Sequence, residues 1–164
     1  MIKKHEWYDC RWQINFYSKG ELVYSENIRN ALVDEGERAL LLQFFRSEEA
    51  PSTFYARLCN DSLLETDALS DIQNEPSGNG YSAQEIQRSS IGWPTIELDS
   101  GDYRLVSKTV TFTASGGNIG PINTLYLATT SDNTGKLIAF VNLSMTRTIL
   151  NADSATAQIR IKLQ

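Results

Sequence analysis

Apolar and polar residues alternate along most of this chain. Cys10, Trp12, Ile14 and Phe16 alternate with Asp9, Arg11, Gln13 and Asn15. That period of two predicts a half-buried strand over residues 7–18. Lys19-Gly20 supplies a turn, and Leu22, Val23 and Tyr24 mark a return strand over 21–28, so the chain opens with a hairpin. The period changes at 34–46, where Leu40, Leu41, Phe44 and Phe45 fall on one helical stripe. Asp34, followed three residues later by Glu37, fits a helix start, and Ala50-Pro51 follows the helix end near Ser47. Alternation resumes at 53–59 with Phe54, Ala56 and Leu58. Residues 60–75 are acidic and turn-rich, with Leu64, Ala68, Leu69 and Ile72 spaced for a short helix. From residue 81 the pattern is all β: 81–89, an irregular edge at 93–96, then 103–114, 123–130, 136–143 and 157–163. Turns at 76–80, 100–102, 116–121 and 131–135 separate these strands.

Short strands at such spacing predict a mainly β fold, an antiparallel, jelly-roll-like β-sandwich with one packed helix. A boundary near residues 27–30 divides an aromatic N-terminal hairpin arm (1–30) from a sandwich body (31–164).

Composition narrows the function. The 164 residues are 41% hydrophobic and 21% charged, as in a folded domain large enough to need no covalent staple. The net charge is −5, with no basic stripe, which predicts no nucleic-acid partner. No apolar run reaches the length of a membrane span, and no apolar stretch of signal-peptide type follows Met1. Membrane association is therefore not expected.

The usual catalytic and metal patterns are missing. Cys10 and Cys59 form no Cys-x-x-Cys pair, and a single histidine, His5, cannot complete a usual zinc set. Two free, buried thiols are expected. The acids Asp61, Glu65, Asp67, Asp71 and Glu75 lack EF-hand spacing and read as a solvated loop. No Gly-x-Ser-x-Gly elbow is present. The run 115–120 is glycine-rich, but strand signals follow it where a dinucleotide site needs a helix. The chain is thus expected to be no enzyme and to hold no cofactor.

The aromatic set Trp7, Tyr8, Trp12, Phe16, Tyr17 and Tyr24 stands out. Such a hairpin packs on its own body or anchors a partner, because buried aromatics dominate interface energetics. Trp93 adds a further aromatic contact candidate, and stacking on carbohydrate is the remote alternative. An arm beside a self-sufficient body predicts that Trp12→Ala leaves the body folded.

The order of motifs resembles a family of small structural proteins of tailed bacteriophages. The residues that carry the likeness are Val33-Asp34-Glu35-Gly36 and the strand Phe54-Tyr55-Ala56-Arg57-Leu58. Gly78-Asn79-Gly80-Tyr81 and Gly92-Trp93-Pro94 follow, then the Thr111-Phe112 strand, Gly116-Gly117-Asn118 and Gly135-Lys136-Leu137. The likeness spans about 33–163. Ser82-Ala83-Gln84 departs from the family's basic residue after Gly-Tyr. The resemblance implies a non-enzymatic virion component assembled in the host cytoplasm. It would be a head decoration (cement) protein on the outer face of the major capsid protein, or a tail, baseplate or fibre component bound to tail proteins. It would associate with copies of itself as a dimer or trimer.

Overall fold

The computed structural model of the chain describes residues 8–30 and 32–163, with the side chains of residues 8, 9, 30 and 163 excepted. Two antiparallel sheets pack face to face. The first holds, in spatial order, β2 (Glu21–Asn30), β1 (Tyr8–Ser18), β10 (Ser154–Leu163), β6 (Asp102–Val106) and β5 (Thr95–Asp99), with β7 (Val110–Thr113) also pairing β10. The second holds β4 (Gln84–Gln87), β3 (Thr53–Cys59), β8 (Ile119–Ala128) and β9 (Leu137–Ile149). A helix, α1 (Asp34–Phe45), connects β2 to β3. The mainly β sandwich with one helix and an N-terminal hairpin is therefore present.

The hairpin is not a separable arm. β1 pairs β2 on one side, and on the other it pairs β10 from Tyr8↔Leu163 to Tyr17↔Ser154. It is an interior strand of the larger sheet. Cys10, Trp12, Ile14 and Phe16 point between the sheets and are buried there with Phe112, Ile122, Leu125 and Ile159. The opposite face carries a polar ladder in which Gln13 Nε2 donates to Ser25 Oγ at 2.8 Å and Ser25 donates to Asn15 Oδ1 at 2.8 Å. Alternation correctly predicted a half-buried strand. What covers its apolar face is set by pairing with the other end of the chain.

The expected single strand over 103–114 is two. Ser107 interrupts it between β6 and β7, and both pieces continue along β10. The Ser107 hydroxyl is buried, accepts from Ile159 N at 2.9 Å and donates to the Lys108 carbonyl at 2.8 Å. Side-chain bonds thus replace the ladder where it breaks.

The helix lies where expected, but its packed face does not. Its cap is Val33, with no side-chain cap bond, and Asp34 is the first helical residue. The buried position is Gly36, with Ala39 and Gln43 beside it on the same side. Leu40, Leu41, Phe44 and Phe45, read from the sequence as the packed stripe, are exposed. The reason is a close approach: a β-carbon at Gly36 would overlap the Ile138 backbone. The helix can sit this near β9 only through its smallest residue. Glu35 fixes it there by accepting from Leu69 N at 3.1 Å and Leu137 N at 2.7 Å. In an ordinary helix, Gly→Ala gains about 1 kcal/mol. Here Gly36→Ala is expected to lose about 1–3 kcal/mol, because backbone must shift to admit a methyl group. Denaturant midpoints of the two proteins check the sign.

A second apolar cluster lies on the outer face of the smaller sheet. Cys59, Tyr126 and Phe140 pack there against Leu63, Leu69 and Ile72 of the acidic segment. The short helix expected in that segment is a single 3-10 turn, Leu69–Asp71. Cys10 and Cys59 are buried, form no disulfide and lie in different clusters. Burial pushes the Cys59 thiol up to about 12. Neither thiol is expected to react with a water-soluble disulfide reagent in the native protein at pH 8, and both react once it is unfolded. Fast native labelling of one thiol would contradict this burial.

Candidate interaction surface

The aromatic residues expected to bind a partner are dispersed. Trp7 lies outside the described residues, as does the side chain of Tyr8. Trp12 and Phe16 are core. Tyr17 is half-buried beside the bulge where β1 meets β2. Tyr24 is a strut between β2 and β9: its ring packs on Phe16 with centroids 6.0 Å apart and lies 3.5 Å below the Arg147 guanidinium. Its hydroxyl donates to Glu26 at 2.7 Å and is 3.0 Å from Ser144 Oγ. Trp93 is half-buried, edge-to-face with Phe54 at 6.1 Å. Trp93 also lines an open groove.

That groove, of about 650 Å³, is lined by residues of both sheets. Phe54, Leu127 and Ile138 of the smaller sheet form one wall, and Ile96, Leu105 and Ile161 of the larger sheet form the other. Leu40 of α1 and Trp93 also line it, and Arg88, Ser89 and Ser90 add polar atoms.

The β5–β6 hairpin explains why the wall is apolar. Ile96 pairs Leu105 and Leu98 pairs Tyr103 across the strands, and Leu105 pairs Ile161 of β10. This face continues the one that carries Cys10 and Trp12 in the core, since Cys10 pairs Ile161. The smaller sheet does not extend far enough to cover it. Ile96, Leu98 and Tyr103 are therefore 71%, 66% and 68% exposed. The opposite face is ionic: Arg104 pairs Glu97 and Asp99, and Lys162 approaches Asp99 and Asp102. A hairpin with one charged face and one uncovered core face presents the second to whatever can replace water.

The helix extends this surface. Leu40 lies in the groove and Phe44 follows one turn later, touching Phe45 with ring centroids 5.0 Å apart. Phe44 and Phe45 are 82% and 74% exposed. The sequence carried both signals. Ile96 and Leu98 alternate with Glu97 and Asp99 on one side of Ser100-Gly101, and Tyr103 and Leu105 alternate with Asp102 and Arg104 on the other. Gly36 and Ala39, three apart, marked the packed side of the helix.

The remaining candidates resolve into structure. In the acidic segment, Asp61 accepts from Gln73 N and Asn74 N at 3.1 and 2.8 Å. Asp67 and Asp71 accept from Leu64 N and Ala68 N. These carboxylates serve as turn formers. Burial opposes the charge on Asp61, but bonds from the Asn74 side chain and from the backbone outweigh it and lower its pKa. Glu75 turns inward to Arg57, accepting from its Nε at 2.9 Å. Tyr81 donates to Glu75 at 2.5 Å, and burial together with that bond raises its pKa. Among the described residues, no group of three or more His, Cys, Asp or Glu could hold a metal. No described helix is long and apolar enough to cross a membrane. His5 lies outside the described residues. The loop 115–120 leads directly into β8 and is tied to the 76–80 turn by Asn79 Nδ2 donating to the Asn118 carbonyl at 2.8 Å.

No protein-family model matches this chain, and no curated protein matches it. The surface is therefore interpreted from its own chemistry.

Proposed function

We propose that the protein is a non-enzymatic assembly module that works by burying the apolar surface formed by α1 and the β5–β6 hairpin. One observation carries this reading: an uncovered core face on a rigid sandwich, continuous with an exposed Phe-Phe pair on the helix. Monomeric proteins rarely leave such a face to water. The motif resemblance supplies the setting. On that basis the chain is a structural component of a tailed-phage particle, a head decoration protein on the outer capsid surface, with a tail or baseplate position as the alternative. A rigid module that bridges repeated subunits turns modest contacts into tight attachment through avidity. The contact surface in this proposal is not the aromatic hairpin, whose Trp12 and Phe16 are core.

The test is the copy number of this chain in purified particles of the virus that encodes it, by quantitative mass spectrometry against the major shell protein. A ratio near one, or a simple fraction of it, supports head decoration. A few copies per hundred shell subunits supports the tail position. Absence from the particle overturns both.

A further inference from the structure

We infer that the occupant of this apolar surface is a second copy of the same chain, bound about a two-fold axis. The inference deepens the function proposed above and rests on the same surface. Three observations carry it. The first is area. Phe44, Phe45, Leu40, Ile96, Leu98 and Tyr103, from 42% to 82% exposed, offer about 800 Å² between them, given 150–250 Å² for a large aromatic. A stable interface buries about 800 Å² per partner. The face alone is thus sufficient for one closed dimer.

The second is shape. The surface has both a projection, the Phe44–Phe45 pair, and a recess, the groove of about 650 Å³. They are adjacent: Leu40 lines the recess, and Phe44 lies one helical turn beyond it. A two-fold contact needs one patch to complement itself, with residue i meeting j and j meeting i. A knob beside a hole meets that need, because each copy's Phe44–Phe45 enters the other's groove and two identical contacts close the pair.

The third is charge. The chain carries −5, and a second copy brings the same sign, so an apolar contact must keep acids away from its centre. It does. Glu97, Asp99 and Asp102 lie on the far face of the β5–β6 hairpin, engaged by Arg104 and Lys162.

The experiment is the solution mass of the full chain by sedimentation equilibrium over a wide concentration range. The expected mass is twice that of one chain. The variant Phe44→Glu/Phe45→Glu on the knob, and Ile96→Lys in the hole, are each expected to be monomeric. All three positions are exposed, so both variants keep the wild-type circular dichroism and a cooperative melt. Mixing the two variants is expected to restore a heterodimer, in which one contact is wild type and the other opposes Glu with Lys. A wild-type monomer at every concentration overturns the inference. So does a dimer that survives the knob variant, a trimer, or a mixture that stays monomeric. A monomeric chain that is nonetheless abundant in particles would overturn this pairing and leave the proposed function standing. A dimer absent from particles would do the reverse.

Discussion

Trp12→Ala is expected to lower the unfolding free energy by about 3–5 kcal/mol. The side chain is 0% exposed and sits on an interior strand of the larger sheet, paired with Ile28 of β2 and Ile159 of β10. Truncation there leaves a cavity whose walls belong to two paired strands and cannot collapse freely. Native domains are stable by only about 5–15 kcal/mol, so the loss is a large share of the whole. Trp12 Nε1 has no hydrogen-bond partner among the described residues, so its removal leaves no acceptor stranded. Trp12→Phe should accordingly cost much less than Trp12→Ala. Urea unfolding checks both: the midpoint falls while the slope stays constant. A Trp12→Ala protein with wild-type stability would restore the view of the hairpin as an arm.

Arg57→Ala is expected to cost a similar amount, about 3–5 kcal/mol, by a different mechanism. Arg57 is 1% exposed on β3. Its guanidinium binds both carboxylate oxygens of Glu75, donates to the Asp132 carbonyl at 2.7 Å and to Asn133 Oδ1 at 3.0 Å, and lies 5.2 Å from the centre of the Tyr126 ring. One side chain thereby clasps the 60–75 segment and the 131–135 turn to the outer face of the smaller sheet. Removing it leaves the partly buried Glu75 carboxylate without its cation and unties the exposed 131–135 turn. Arg57→Lys should recover little, since a point charge cannot replace the planar fork. Hydrogen exchange distinguishes this from a general loss of stability. Amides of 60–75 and 131–135 should exchange fast while β1 and β10 stay protected. Uniform acceleration across the sheet would show that the clasp is not local.

Strand and helix positions were largely legible from periodicity. β3 was read at 53–59 and found at Thr53–Cys59. The helix, read at 34–46, spans Asp34–Phe45. Period-two alternation follows from the pleat and survives any tertiary arrangement. The break at Ser107 was not legible, because Val106, Val110 and Phe112 read as one strand. It depends on a serine hydroxyl that finds Ile159 N, 52 positions away. The clasp at Arg57 was equally hidden. An arginine in an alternating strand reads as a solvent-facing position, and Glu75 reads as one more acid in a charged loop. Arg57 became buried, and Glu75 partly so, because the 60–75 segment folds back over the outer face as a third layer.

The interaction surface divides in the same way. From the sequence alone come the two-fold alternation, the apolar stripe of the helix, the lack of a catalytic pattern and the absence of a Cys-x-x-Cys pair. These are local or compositional properties, and local sterics with hydrophobicity suffice to set them. Only the tertiary structure decided which apolar faces are covered. It placed β1 between β2 and β10, so Trp12 and Phe16 became core. It seated the helix on Gly36 against Ile138, so Phe44 and Phe45 turned outward. It left the β5–β6 hairpin projecting past the smaller sheet. Hydrophobicity requires that an apolar face leave water, but it is non-directional and names no partner. Strand register, a close backbone approach and the unequal extent of two sheets make that choice, and each depends on residues far apart in the chain.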